Sequence, residues 1–340
     1  MTLGLVYWQE TLLKSLGVIL AVLLPAGGFV QAYLFKMVSH MQSRLGPMEA
    51  GPHGSLQLIA EVGKSLQKED IVPARADKSI YKLAPYLILM SVFLIYVVVP
   101  FGPDMYFSNL DAGVFYALAV SSISVIGVLI AGWASANKYS LMGGLRAAGQ
   151  LIAYELPMVL AVVGVIIQAE TMNLQGIVMA QANGEIFGWG GIGNPFIITQ
   201  LIGFFIFLAA VQAELTQPPF DMPVAESEIV GGYQVEYTGF RFLLFFMGEF
   251  GTAFAFGGMA AILFLGGWWV PGFDADDDIL NVLGPAVMFA KVMLVAFLIF
   301  WVRFTYPRFR EDQLQSFAWK FLIPLSLVNI LATAVLKVVF

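Results

Sequence analysis

The chain has 340 residues, 59% of them hydrophobic and 12% charged, with a mean hydropathy of +0.82 and a net charge of −6. Soluble domains carry about 25% charged residues, so this composition belongs to an integral membrane protein. Cysteine is absent and histidine occurs only as His40 and His53, which excludes disulfides, thiolate-held iron–sulfur clusters and paired-histidine haem ligation on this chain.

Apolar runs between charged or Pro/Gly-rich breaks predict an all-α membrane protein of about eight transmembrane helices forming one domain. The runs lie near 12–37, 80–100, 112–136, 147–169, 196–214, 239–266, 282–304 and 317–339. Each approaches the roughly 20 residues needed to cross the hydrocarbon core. The first is long, opens beside Glu10 and Lys14 and closes on no small-residue site, so no cleaved signal peptide is expected. Gly143 and Gly144 interrupt the pattern between the third and fourth runs. No internal repeat is visible, and many secondary transporters carry one.

Basic residues set the orientation. They gather after the first run (Lys36, Arg44, Lys64, Lys68, Arg75, Lys78, Lys82), the third (Lys138, Arg146), the fifth (Arg241) and the seventh (Arg303, Arg308, Arg310, Lys320). The loops after the second, fourth and sixth runs hold none. The positive-inside rule therefore places the odd loops in the cytoplasm and both termini on the far side of the membrane. Asp274, Asp276, Asp277 and Asp278, on the far side, read as solvated charge.

Residues 38–79 form a cytoplasmic platform. Within Gly54–Lys68, Leu58, Ile59, Val62 and Leu66 recur at helical spacing while Glu61, Lys64 and Lys68 fall largely elsewhere, as in an interfacial amphipathic helix. Its Gly-Pro frame favours a fixed platform under a partner protein over a plain membrane-surface helix.

The fifth run leads into an acidic loop, 214–238, with Glu214, Asp221, Glu226, Glu228 and Glu236 before the first basic residue, Arg241. Pro218, Pro219, Phe220, Pro223 and Tyr233 are interspersed, which suits a shaped segment more than a solvated acidic linker. Ionisable residues also occur inside the runs: Glu155 followed by Pro157, then Glu249 and Lys291. Such residues are costly at membrane depth and mark functional sites by default. For Glu249 and Lys291 the structural alternative is an ion pair across helices. For Glu155 and Glu214 it is a neutral acid bonded to backbone. The basic run Arg303, Arg308 and Arg310 suits either lipid anchoring or docking to an acidic partner. No phosphate-binding glycine loop, nucleophile triad or metal-ligand spacing is present.

Together these motifs resemble the H subunit of the proton-pumping NADH:quinone oxidoreductase, respiratory complex I, along nearly the whole chain. The resemblance rests on Arg44-Leu45-Gly46-Pro47, Lys68-Glu69-Asp70, Gly132-Trp133-Ala134-Ser135, the Tyr139–Arg146 stretch and Tyr154-Glu155-Leu156-Pro157. It continues through Ala213-Glu214, Pro219-Phe220-Asp221, Ala225-Glu226-Ser227-Glu228, Glu236-Tyr237, Leu265-Gly266-Gly267-Trp268 and the Trp301–Gln313 run.

The resemblance implies a membrane-arm subunit, inactive alone, that contacts other membrane-arm subunits and the iron–sulfur peripheral arm. It forms the channel by which quinone enters and starts the proton-coupling path. Quinone is then substrate, iron–sulfur clusters and flavin belong to partner subunits, membrane lipid surrounds the chain, and no nucleic acid is expected. Carried over by motif, Glu155, Glu214 and Glu249 become proton-path carboxylates and Asp221, Glu226 and Glu228 belong to the coupling loop. Lys36, Arg44, Glu61, Phe220, Arg241 and Arg303 become quinone-channel residues. The chain departs from the family pattern at Leu34-Phe35, at Glu49 and at Gln217, where arginines are lost, and at Glu61 and Phe250. Those losses keep open a relative of complex I fed by ferredoxin, deazaflavin or a hydrogenase arm. A stand-alone transporter and a plain membrane anchor fit the residues less well.

Overall fold

The structure, a computed structural model, describes residues 30–184, 193–273 and 277–339 and a few isolated positions before residue 18. Most of the first apolar run, with Glu10 and Lys14, lies outside the described residues, as do Asp274 and Asp276. Helix α1, Val30–Met37, is π-wound and runs on into Val38–Met41. It is followed by α2 (Gln57–Gln67), α3 (Lys78–Tyr96), α4 (Gly113–Ala134), α5 (Lys138–Ala169) and α6 (Leu174–Asn183). Then come α7 (Leu201–Glu214), α8 (Gly239–Leu265), α9 (Asp278–Thr305), α10 (Glu311–Phe317) and α11 (Ile323–Val339).

The architecture is all-α. Among the described residues, α3, α4, α5, α8, α9 and the joined α10–α11 are long and apolar enough to cross a membrane, and α7 is a shorter apolar helix. Of the long helices, α8 is the most enclosed and α10–α11 the least. Around α8 pack α3, α9 and the amphipathic α2. Gly248 and Gly251 of α8 leave room for Ile88 and Val92 of α3, which a Cβ at either glycine would meet below 3 Å.

At about 1.5 Å per residue α7 spans only about 21 Å, short of the roughly 30 Å hydrocarbon core. A helical turn, Phe196–Thr199, precedes it, and Gln200 breaks the two apart at φ −115°. The Gln200 side chain donates to Thr333 Oγ1 at 2.6 Å and accepts from Asn329 Nδ2 at 2.9 Å. Gly164 of α5 and Gly203 of α7 make the space, since a Cβ on either would lie within 3.2 Å of these amides. A polar clasp thus ties α11 to α5 and α7.

Helix α5 departs from expectation. Gly143 and Gly144 do not break it: it begins at Lys138, with the Asn137 side chain accepting from Tyr139 N at 2.9 Å as an N-cap. The glycines serve close approach instead. Gly144 faces Gly132 of α4, and Gly143 lies against the turn Gly232–Gln234 of the acidic loop. Gly143→Ala would bring a Cβ to 2.5 Å from Gly232 Cα, which is backbone and cannot step aside. The expected cost is about 1–3 kcal/mol, read as a lower thermal midpoint of the purified protein. An unchanged midpoint would remove this role for the glycine.

The ion pair weighed as the structural alternative for Glu249 and Lys291 is not formed. Lys291 Nζ donates to the carbonyls of Leu265 at 2.6 Å and Trp269 at 2.5 Å, placing a cation at the C-terminal end of α8 where the helix dipole favours it. Glu249 lies sixteen residues earlier on that helix, about 24 Å away.

Candidate functional site

The loop from α7 to α8 is clamped from three sides. Gln212 Nε2 donates to Pro218 O at 2.7 Å, across a cis Pro218–Pro219 peptide. From α5, the buried Gln150 donates to Ala213 O at 2.7 Å and to Phe220 O at 2.8 Å. From beyond α9, Phe309 N donates to Pro219 O at 3.0 Å. The Phe220 ring sits edge-on to Tyr154 at 5.2 Å and 5.6 Å from Phe309, and Tyr154 itself donates to Leu314 O at 2.9 Å. Phe220, Met222, Ala225, Ile229, Tyr233 and Tyr237 are all buried. The segment is therefore packed on the bundle and is not a solvated acidic linker, although Glu226 and Glu228 face outward.

Three carboxylates enter the helices beneath it. Glu155 on α5, two residues before Pro157, accepts from Ser122 Oγ on α4; its partner is a hydroxyl and not the backbone. Glu214 ends α7 in a buried position, with Glu155 as an electrostatic neighbour and its Oε2 without a hydrogen-bond partner. Glu249 on α8 accepts from Gln217 Nε2, and Arg303 Nη1 of α9 stands 3.8 Å from the same oxygen. The Arg303 guanidinium lies over the rings of Phe300 and Phe304 at 5.7 Å and 5.3 Å.

Above Glu249 the loop closes through ion pairs. Arg308 Nη2 binds Asp221 at 3.0 Å and its Nη1 donates to Ser227 Oγ at 3.1 Å. Glu228 pairs with Arg146 at 2.8 Å and lies 4.0 Å from Arg308, while Arg146 also reaches Glu311 at 3.9 Å. Burial pushes the Asp221 carboxyl above the ordinary aspartate range, against the pull of Arg308 and Arg303. The arginines of the basic run after α9 have separate partners within the chain. Arg308 is turned inward onto the loop, and exposed Arg310 pairs with its own neighbour Asp312 at 2.7 Å.

The remaining predicted residues fall into two places. Arg241 binds Asp70 at 2.8 Å with its guanidinium 5.5 Å over the Tyr81 ring. Tyr81 stacks on Tyr237 at 4.2 Å and donates to Glu236 O at 2.6 Å. Beside them a cleft of about 660 Å³ opens between α2 and the loop, lined by Glu61, Lys64, Lys68, Glu226 and Phe242 among others. Lys36 donates to Pro47 O at 2.7 Å, and exposed Arg44 bonds Gln42 at 2.8 Å. These two bonds stay within α1 and the segment that follows it.

Thus Phe220, Asp221, Glu228, Glu249 and Arg303 meet in one cluster, Glu61 and Glu226 line the cleft with Arg241 paired to Asp70 beside it, and Lys36 and Arg44 bond locally. Ser122 and Gln150 carry no charge signal in the sequence, because hydroxyls and amides are neutral, and Gln217 stands out there only as the place of a lost arginine. The available signal was an amide inside an apolar helix, which Gln150 supplies.

A family described as NADH dehydrogenase matches residues 13–334. The H subunit of NADH-quinone oxidoreductase from Brevibacillus brevis is 46% identical over 330 residues, covering 96% of this chain and 94% of that protein. Its Geobacillus kaustophilus counterpart is 45% identical over 314 residues, with coverage of 90% and 87%. A second-numbered H subunit from Syntrophobacter fumaroxidans is 42% identical over 332 residues, with coverage of 95% and 94%. With the same motifs carried on an all-helical frame, the chain belongs to the family of NADH-quinone oxidoreductase H subunits.

Proposed function

We propose that this chain is the membrane-arm subunit that admits quinone together with the peripheral arm and starts the proton-coupling path of a proton-pumping NADH:quinone oxidoreductase. One observation carries the reading. The loop bearing Asp221, Glu226 and Glu228 runs on from Glu214, is clamped on either side of it through the Ala213 and Phe220 carbonyls, is hydrogen-bonded through Gln217 to Glu249, and is ion-paired through Asp221 to Arg308. Charge that develops on a reduced quinone beside the loop would act on a connected set of carboxylates, Glu155, Glu214 and Glu249, each near others of its kind or near an arginine. In this scheme Phe220, Arg303, Arg241, Glu61, Arg44 and Lys36 line the route of the quinone, the basic loops and α2 face the cytoplasm, and the termini lie outside. The flavin and iron–sulfur clusters reside on partner subunits, as does the electron-input arm.

Gentle purification through a tag on this chain tests the proposal, with quinone reduction assayed from NADH and from reduced ferredoxin. Co-purifying iron–sulfur subunits and NADH-driven, inhibitor-sensitive reduction are the expected result. Activity with ferredoxin alone would assign the chain to a relative with another input arm. A chain that emerges alone and active in solute flux would overturn the proposal.

A further inference from the structure

The contact between Gln217 and Glu249 carries an inference beyond the path itself, although it rests on the reading of Glu249 as a proton-path group. One oxygen of Glu249, Oε1, faces two rival donors: the neutral amide of Gln217, in hydrogen-bond contact, and the Arg303 cation, 3.8 Å away. Arginine–carboxylate pairs in contact close to about 2.7–2.9 Å, so the Arg303 pair stands about 1 Å open. Arg303 Nη1 and Gln217 Oε1 are both buried without a hydrogen-bond partner.

The backbone fixes Gln217 in this role. Its N–H donates to Gln212 O at 3.3 Å, its carbonyl accepts from Phe220 N at 2.8 Å, and the residue is 3% exposed. Arg303 is held back against Phe300 and Phe304. The other charged or titratable groups acting around Glu249 are Asp221 and Tyr233, both from the loop. From α3, Ile88 and Val92 approach the neighbouring Gly248 and Gly251, and both are apolar.

We infer that Gln217 is a positioning residue: its amide holds the Glu249 carboxylate short of a closed ion pair with Arg303, leaving the acid free to exchange a proton. A closed pair in this buried setting would fix the carboxylate in its charged form. A neutral donor engages the oxygen without adding charge.

The test uses the assembled complex in membrane vesicles, with coupled quinone reduction measured against pH. Gln217→Leu removes the donor at similar volume and lets Arg303 close on Glu249. The alkaline limb of the profile then moves to lower pH by about one unit, within the range an opposite charge produces, while KM for quinone holds. In a Glu249→Gln background the same replacement shifts nothing further. Gln217→Met, with the same predicted shift, stands in if the leucine variant fails to assemble. An unshifted profile, or a shift that persists without the Glu249 carboxylate, overturns the inference and leaves the proton path standing. Full coupled activity in Glu249→Gln alone overturns the proton-path reading of Glu249 and this inference with it.

Discussion

On the proposed reading, replacing Glu214 with Gln is expected to lower coupled quinone reduction about 100-fold, the low end of what a positioned proton-transfer group contributes, while the complex still assembles. The two side chains have nearly the same volume, so packing at the end of α7 is preserved. The clamp from Gln150 is made to the backbone of Ala213 and Phe220 and does not involve the Glu214 side chain. What is lost is the exchangeable proton, at a buried carboxyl whose Oε2 already lacks a partner. Immunoblots of the peripheral-arm subunits check assembly, and dye quenching in inverted vesicles checks pumping. Wild-type turnover in an assembled Glu214→Gln complex would remove Glu214 from the path.

The second large effect belongs to Arg308. Its guanidinium joins Asp221 and Ser227, and Glu228 lies within 4.0 Å, so Arg308→Ala unties the loop from the end of α9 and leaves Asp221 partly buried without that cation. A partly desolvated charged hydrogen bond of this kind is worth about 2 kcal/mol. The loss is pH-dependent, with a sign that follows from Asp221. Burial already raises its folded-state affinity for protons, and removing Arg308 raises it further. The stability this group contributes is therefore full below the unperturbed aspartate pKa of about 3.9 and is lost as pH rises through the higher folded value. Limited proteolysis of the variant should cut the 215–238 loop faster at pH 8 than at pH 5. Equal rates at both pH values would show that Asp221 is not the group left exposed to the loss. Arg308→Lys should restore part of the protection, because a single ammonium replaces the charge but not the two-armed contact.

Much of the fold could be read from hydropathy, because a membrane span must satisfy its own backbone and declares itself by length and apolarity. The site was readable only where it is charged. Glu155, Glu214 and Glu249 stood out against apolar surroundings, and Asp221 and Glu228 by their density in one loop. Which cation each would meet was not legible. An ion pair with Glu249 was one of two readings open for Lys291, which caps α8, whereas Arg308, open to lipid anchoring or to docking on a partner, ties down Asp221 of its own chain. The Gly143-Gly144 pair misled for a related reason. Glycine weakens an isolated helix, yet it also permits backbone to approach backbone, and only the neighbours, Gly132 and Gly232, decide between the two.

The clasp around Gln200 bears on how such a bundle is assembled. Gln200 and its partners Asn329 and Thr333 are separated by about 130 residues of sequence, and the partners sit on a helix synthesised well after α7. Until that helix arrives, the Gln200 amide faces a surface that supplies neither Asn329 nor Thr333, which is costly where water is scarce. Little apolar burial holds α11 in place, so its register along the bundle is set by where its two polar residues find the waiting amide. Helix α11 is thus indexed like a key in a lock, by a notch and not by general fit, and the notch is cut at the head of α7 long before the key is made.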